Sequence, residues 1–141
     1  VGWRTAGKLS LSDGTQTELA NFSWHHTSQH TDSITLSGHF GLGATMIERR
    51  QDKLYLYKEG ALLPLDQIEL PEAAKTLIST LPLTSLSTWL TGHRATEDSP
   101  WQQHVDSWQR FENWRVPRKQ TLRHQQWTLK LVSHDWEQLP P

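Results

Sequence analysis

Residues 3–60 alternate apolar and polar side chains in short runs broken by turn residues, and that pattern leaves few folds open. In "TELANFSWHH", Ala20, Phe22 and Trp24 recur at period two with Asn21, Ser23 and His25 between them. Successive side chains of a strand point to opposite faces, so one face here is apolar and the other is wet. "WRTAGKLSLS" before it reads as a strand, and Asp13-Gly14 supplies a two-residue hairpin signal. "TDSITLSG" places Ile34 and Leu36 on one face, while "GATMIERR" and "KLYLYK" are two more short strands joined through Gln51-Asp52. The first half of the chain therefore reads as antiparallel strands linked by short turns.

The texture changes after Pro64. In "LPEAAKTLISTLP", Leu70, Ala73, Ala74, Leu77, Ile78 and Leu81 fall at helical spacing with one apolar stripe. Pro71 suits a first helical turn and Pro82 closes the segment. "LTSLSTWLTG" predicts a second short helix with Leu86, Trp89 and Leu90 on one side, Thr84 as N-cap and Gly92 just past its end. "HRATEDSP" is loop, and "VDSWQRFENW", "RKQTLRH" and "QWTLKLVSHDW" return to strand-like alternation. With 141 residues the chain fits one domain, 1–141, burying roughly 70% of its unfolded surface.

Strands, two helices, then strands predict a mainly β, α+β fold: a curved antiparallel sheet with helices over one face. Both helices are one-sided, so they must cover the apolar sheet residues. Such layers enclose a cavity, with Phe22, Trp24, Ile34, Leu36, Leu77, Leu86 and Trp89 as its expected lining.

Composition narrows the function classes. Lys and Arg total 14 against 15 Asp and Glu, a balance that argues against a protein built mainly to hold nucleic acid. The hydrophobic fraction, 35%, and the mean hydropathy, −0.66, are low. Eight Trp and a net charge of −1 nevertheless exclude a disordered chain, and an open sheet with much surface accounts for both. The absence of cysteine excludes disulfides and zinc–thiolate sites. No apolar run approaches the ~18 residues of a membrane-spanning helix. Among the eight histidines, His25, His26, His30 and His39 are the densest group. Neighbours on a strand face opposite ways and no acid stands at ligand spacing, so these read as surface histidines and no metal is expected. There is no G-x-S-x-G and no cysteine nucleophile, and the carboxylates are scattered, so no enzyme class and no cofactor is supported.

Two features need more than a fold. Between Asn113 and His134 stand Arg115, Arg118, Lys119, Arg123 and Lys130 with no acid, and Trp108, Phe111, Trp114 and Trp127 lie within or beside them. Basic strands interleaved with aromatics can bind single-stranded nucleic acid, can be a solvated face opposite a buried one, or can dock an acidic partner or lipid headgroups. Arg118 and Lys119 follow Pro117, which reads as a strand end from which they project. The other feature is the loop in "TLSGHFGLGAT". Gly38, Gly41 and Gly43 supply its turn chemistry, but nothing about a turn calls for Phe40 and Leu42. Either they fold back onto the core or they form an exposed apolar tip.

Four segments, "WRTAGKLSL", "ANFSWHH", "ITLSGHFGLGATMIE" and "LPLTSLSTWLTG", with the terminal "LKLVSHDW", make the chain similar to the LolB family of outer-membrane lipoprotein receptors. The likeness spans nearly the whole chain. It implies an incomplete β-barrel with a helical lid, acyl chains held in the concave face, and Phe40 with Leu42 as a membrane-insertion loop. The implied partners are the periplasmic carrier LolA, acylated lipoproteins and outer-membrane phospholipid, met through Arg115, Arg118 and Lys119, with no nucleic acid and a monomeric chain. The implied location is the periplasmic face of the outer membrane, anchored through a lipidated N-terminal Cys that is absent here and would precede Val1. Where the family's loop commonly reads Pro-Leu-Gly, this chain has His39-Phe40-Gly41. The stretch from His93 to Pro117 is shorter than in the family, leaving the strand count there open. The alternatives are a soluble LolA-like carrier, which shares the fold without the apolar loop, and a single-strand-binding sheet.

Overall fold

The computed structural model of the protein describes residues 2–28, 31–38, 45–51, 53–69, 75, 79–80, 83–92 and 100–139. Six strands come first: β1 (Trp3–Ser12), β2 (Thr17–Ser28), β3 (Thr31–Gly38), β4 (Thr45–Arg50), β5 (Lys53–Lys58) and β6 (Ala61–Pro64). A 3-10 turn, Leu65–Gln67, and helix α1 (Leu83–Leu90) follow. Strands β7 (Gln102–Phe111), β8 (Trp114–His124) and β9 (Trp127–Gln138) end the described chain. Among the described residues the strands form one open antiparallel sheet in the order β6-β5-β4-β3-β2-β1-β9-β8-β7. The first and last strands meet in its middle, so two meanders run outward from the β1–β9 pair.

Alternation sets the faces as expected. In β1, Trp3, Thr5, Gly7, Leu9 and Leu11 are buried while the residues between them are half-buried or exposed. The same parity buries Phe22 and Trp24 on β2, Ile34 and Leu36 on β3, and Ile47 on β4. Helix α1 lies over this face and buries Leu86, Trp89 and Leu90, each about 1% exposed. It stops at Gly92, whose φ of 89° is a left-handed conformation that glycine adopts without Cβ strain. There the Gly92 N–H donates to the Trp89 carbonyl at 2.9 Å.

Opposite Ala6 and Gly7, which pair with Asp135 and Ser133, His134 is an extra residue that bulges β9 against β1. Only glycine fits at Gly7, because a Cβ there would lie 1.8 Å from the Val132 carbonyl oxygen.

Several expectations are corrected. The Asp13-Gly14 turn is a four-residue loop, since Ser12 pairs with Thr17. Asp13 Oδ1 accepts from the N–H groups of Thr15 at 2.9 Å and Gln16 at 2.7 Å, which organises the wider turn and holds that carboxyl below its usual range. Strand β6 was not anticipated; it is four residues long and ends in proline, too little alternation to register. Of the helix expected over residues 70–81, Lys75, Ser79 and Thr80 are helical and the rest, Leu77 included, lies outside the described residues. In the His93–Pro117 stretch, whose strand count was open, the described residues carry β7 and the start of β8, joined through Glu112-Asn113. Arg118 and Lys119 are not at a strand end but midway along β8, where register shifts against β7 accommodate Pro117. His26 is not a surface histidine: its side chain is 19% exposed and bound to Asp32.

Candidate functional site

The sheet's concave face has an apolar half and a polar end, and strand register fixes their order. Starting from the end where β3 stops and β4 begins, Leu9 pairs with Ala20, Gly7 with Phe22, Thr5 with Trp24 and Trp3 with His26. Leu9, Phe22, Trp24, Leu36 and Leu131 from the sheet and Leu86 and Leu90 from α1 enclose one apolar space. Its free volume is about 10 Å³, room for one water at most. Of the expected lining, Phe22, Trp24, Leu36 and Leu86 border this space directly. Ile34 and Trp89 are buried in the surrounding core, and Leu77 lies outside the described residues.

At the other end the same parity carries charge. Asp32, fully buried, accepts from Arg49 Nε at 2.6 Å through Oδ2, and its Oδ1 lies 2.6 Å from His26 Nδ1. Arg49 also donates to the Gln51 carbonyl. Trp3 stacks on His26 with ring centres 5.2 Å apart, and Trp136 packs on Trp3 at 5.3 Å. Each charged group is thus taken from water only with a partner in hydrogen-bonding contact. Sequence reading missed this cluster because its members are far apart in the chain. The available signal was parity: Asp32 is in phase with Ile34 and Leu36, and Arg49 with Ile47. Among the described residues no group of three or more His, Cys, Asp or Glu is placed to hold a metal ion.

A polar tether ties the helix to the sheet. Gln120, 2% exposed, donates through Nε2 to the Trp89 carbonyl at 2.9 Å, and Gln103 donates to Gln120 Oε1 at 2.9 Å. The Trp89 carbonyl thus accepts from both the Gly92 N–H and Gln120, and the second bond fixes the end of α1 on the sheet. Gln120→Leu should lower stability by about 1–2 kcal/mol and free the end of α1, read as a lower melting temperature and faster exchange of the Gly92 amide.

The basic side chains Arg115, Arg118, Lys119, Arg123 and Lys130 are all exposed. Trp114 and Trp127 instead pack against the core, so aromatics and charges do not interleave on one surface. Trp108 is the exception, 39% exposed with the Arg115 guanidinium 4.5 Å from its ring centre. Arg115 lies near the β7–β8 turn, the opposite end of the sheet from Gly38 and Thr45. Phe40 and Leu42 lie outside the described residues. Their roots are described: β3 ends at Gly38, packed against the Leu19 carbonyl, and β4 begins at Thr45. Beside these roots Leu19 and Met46 are 52% and 42% exposed.

Comparison with known proteins agrees with this architecture. The chain is 24% identical to the outer-membrane lipoprotein LolB of Shewanella loihica, over 99% of this chain and 73% of that protein. Its fold resembles the crystal structure of a LolA superfamily protein from Nitrosomonas europaea, with a TM-score of 0.51 and 7% identity over 99% of this chain and 87% of the other. The family model described as outer membrane lipoprotein LolB matches residues 2–136, and the chain belongs to the LolB family.

Proposed function

We propose that this protein takes acylated lipoproteins from the periplasmic carrier LolA, holds their acyl chains between the sheet and α1, and releases them into the outer membrane at the loop carrying Phe40 and Leu42. The LolB family consists of lipoprotein receptors of the outer membrane rather than enzymes. The observation that carries the finer reading is the apolar space that α1 closes over the sheet.

Magnitudes decide how it opens. Each buried methylene is worth about 0.8 kcal/mol, so releasing a sixteen-carbon chain into water costs on the order of 10 kcal/mol. Transfer must therefore pass from one apolar enclosure to the next. A space of about 10 Å³ holds no such chain, so α1 must lift to admit it. Eight residues do not make a helix that is stable alone, and α1 is held by burying Leu86, Trp89 and Leu90, worth roughly 5–9 kcal/mol together. An entering chain supplies comparable apolar surface, so the exchange is close to balanced. A fluorescent fatty-acyl probe should bind saturably, and Leu86→Glu should weaken it about tenfold or more, because a carboxylate cannot be buried there unpaired. No saturable binding by folded wild-type protein would refute the reading.

Arg115, Arg118 and Lys119 are proposed to face the carrier or anionic headgroups. Double charge reversal at Arg118 and Lys119 should slow handover several-fold at low salt and much less at high salt, as screened surface charges do. Equal slowing at both would remove the charges from the account.

A further inference from the structure

Two buried donors on the concave face have nothing to donate to. Among the described residues, Trp24 Nε1 and Trp136 Nε1 are buried without a hydrogen-bond partner. Trp24 is only 3% exposed and lines the apolar space. Burial strips an indole N–H of water and normally supplies an acceptor in exchange, so an orphan of this kind calls for an explanation. The two are not scattered. Trp24 pairs with Thr5 on β1, and Thr5 pairs with Trp136 on β9, so all three lie in one cross-strand row on one face. The Thr5 hydroxyl between them donates to the Asp135 carbonyl at 2.7 Å, and neither indole donates to its oxygen.

The row falls at a boundary. On one side lies the apolar space bordered by Leu9, Leu36 and Leu131; on the other, His26 and Asp32 begin the polar end. A molecule lying along the strands would place hydrocarbon in the first and polar atoms toward the second, with the indole donors at the junction. In an acyl ester the atom at that junction is a carbonyl oxygen, an acceptor with lone pairs and no proton to offer.

We infer that the Trp24 indole N–H, with that of Trp136 two strands away in the same row, donates to the ester carbonyls of a bound acylglycerol group, fixing its acyl chains toward the end of the sheet where β3 stops at Gly38 and β4 begins at Thr45. This rests on the acyl-binding reading above and adds chemistry and direction to it. The site prefers esters over ethers of equal chain length, because an ether oxygen is a poorer acceptor. It also points the hydrocarbon at the end of the concave face where β3 stops and β4 begins, so chains leave tail first.

The test compares dioctanoylglycerol with dioctylglycerol, its ether counterpart, by titration into wild type, Trp24→Phe and Trp136→Phe. Wild type should bind the ester about fivefold to tenfold tighter than the ether, the worth of one hydrogen bond. Trp24→Phe should lose the preference, so that ester and ether bind alike in the variant whatever its overall affinity. In ¹⁵N-labelled wild type, which does not depend on any variant folding, the Trp24 indole resonance should move downfield with the ester and stay with the ether. Equal wild-type binding of both lipids with that resonance unmoved would overturn the inference and leave acyl binding standing. Weakening of both lipids alike in Trp24→Phe would also overturn it, reducing Trp24 to packing. Binding of neither lipid would remove the acyl-binding reading itself, and this inference with it.

Discussion

Asp32→Ala should cost the fold about 3–5 kcal/mol, seen as a fall in melting temperature of roughly 10–15 °C. Asp32 is fully buried, and the Arg49 guanidinium it faces is 8% exposed, so deleting the carboxylate strands a charge where water cannot reach it. His26 loses its partner in the same step. The loss comes mainly from a buried Arg49 guanidinium left without its carboxylate rather than from any large net worth of the pair. Asp32→Ala combined with Arg49→Met should therefore recover most of it, since apolar replacement of a whole buried pair is often neutral. A loss under about 1 kcal/mol for the single variant would mean that the cluster is solvated.

That cluster also marks what could be read from the sequence. Strands β1 to β5 were legible because Ala20, Phe22 and Trp24, or Ile34 and Leu36, repeat at the period of a pleated strand. Helix α1 was legible from Leu86, Trp89 and Leu90, with Gly92 to end it. Asp32 and Arg49 share the parity of those apolar residues, but their residue type gives no sign of burial in the sequence. Their pairing depends on β3 lying beside β4, which no local pattern states. Gln120 was hidden for a similar reason, as its partner is a backbone carbonyl 31 residues away. The register shift at Pro117 was invisible, because proline reads as a strand end until a neighbouring strand is seen to accommodate it.

Phe40→Glu should leave folding and acceptance of cargo intact while cutting delivery to liposomes on the order of a hundredfold. Burying the phenyl ring in a bilayer contributes about 1.5–3 kcal/mol, and a carboxylate in its place costs several kcal/mol at an apolar interface. Those terms together exceed the ~3 kcal/mol that a hundredfold change requires. The loop connects two paired strands, between Gly38 and Thr45, and on the proposed reading Phe40 is at its tip, where a charge adds nothing to the buried core. Melting should shift by less than about 1 kcal/mol in stability, as for exposed loop substitutions. Phe40→Leu, which keeps an apolar tip, should deliver nearly as well as wild type. A large drop in melting temperature for Phe40→Glu would make the residue part of the core instead.

The central claim is that acyl chains lie between the sheet and α1, and cross-linking locates them most directly. A lipoprotein bearing a photoreactive fatty-acyl chain, presented on LolA, would be mixed with this protein, irradiated and mapped by mass spectrometry. The account predicts cross-links at Phe22, Trp24, Leu36 and Leu86, lost when unlabelled acyl lipid competes. Cross-links confined to outer-face residues such as Leu19 and Met46, with none on the concave face, would contradict it.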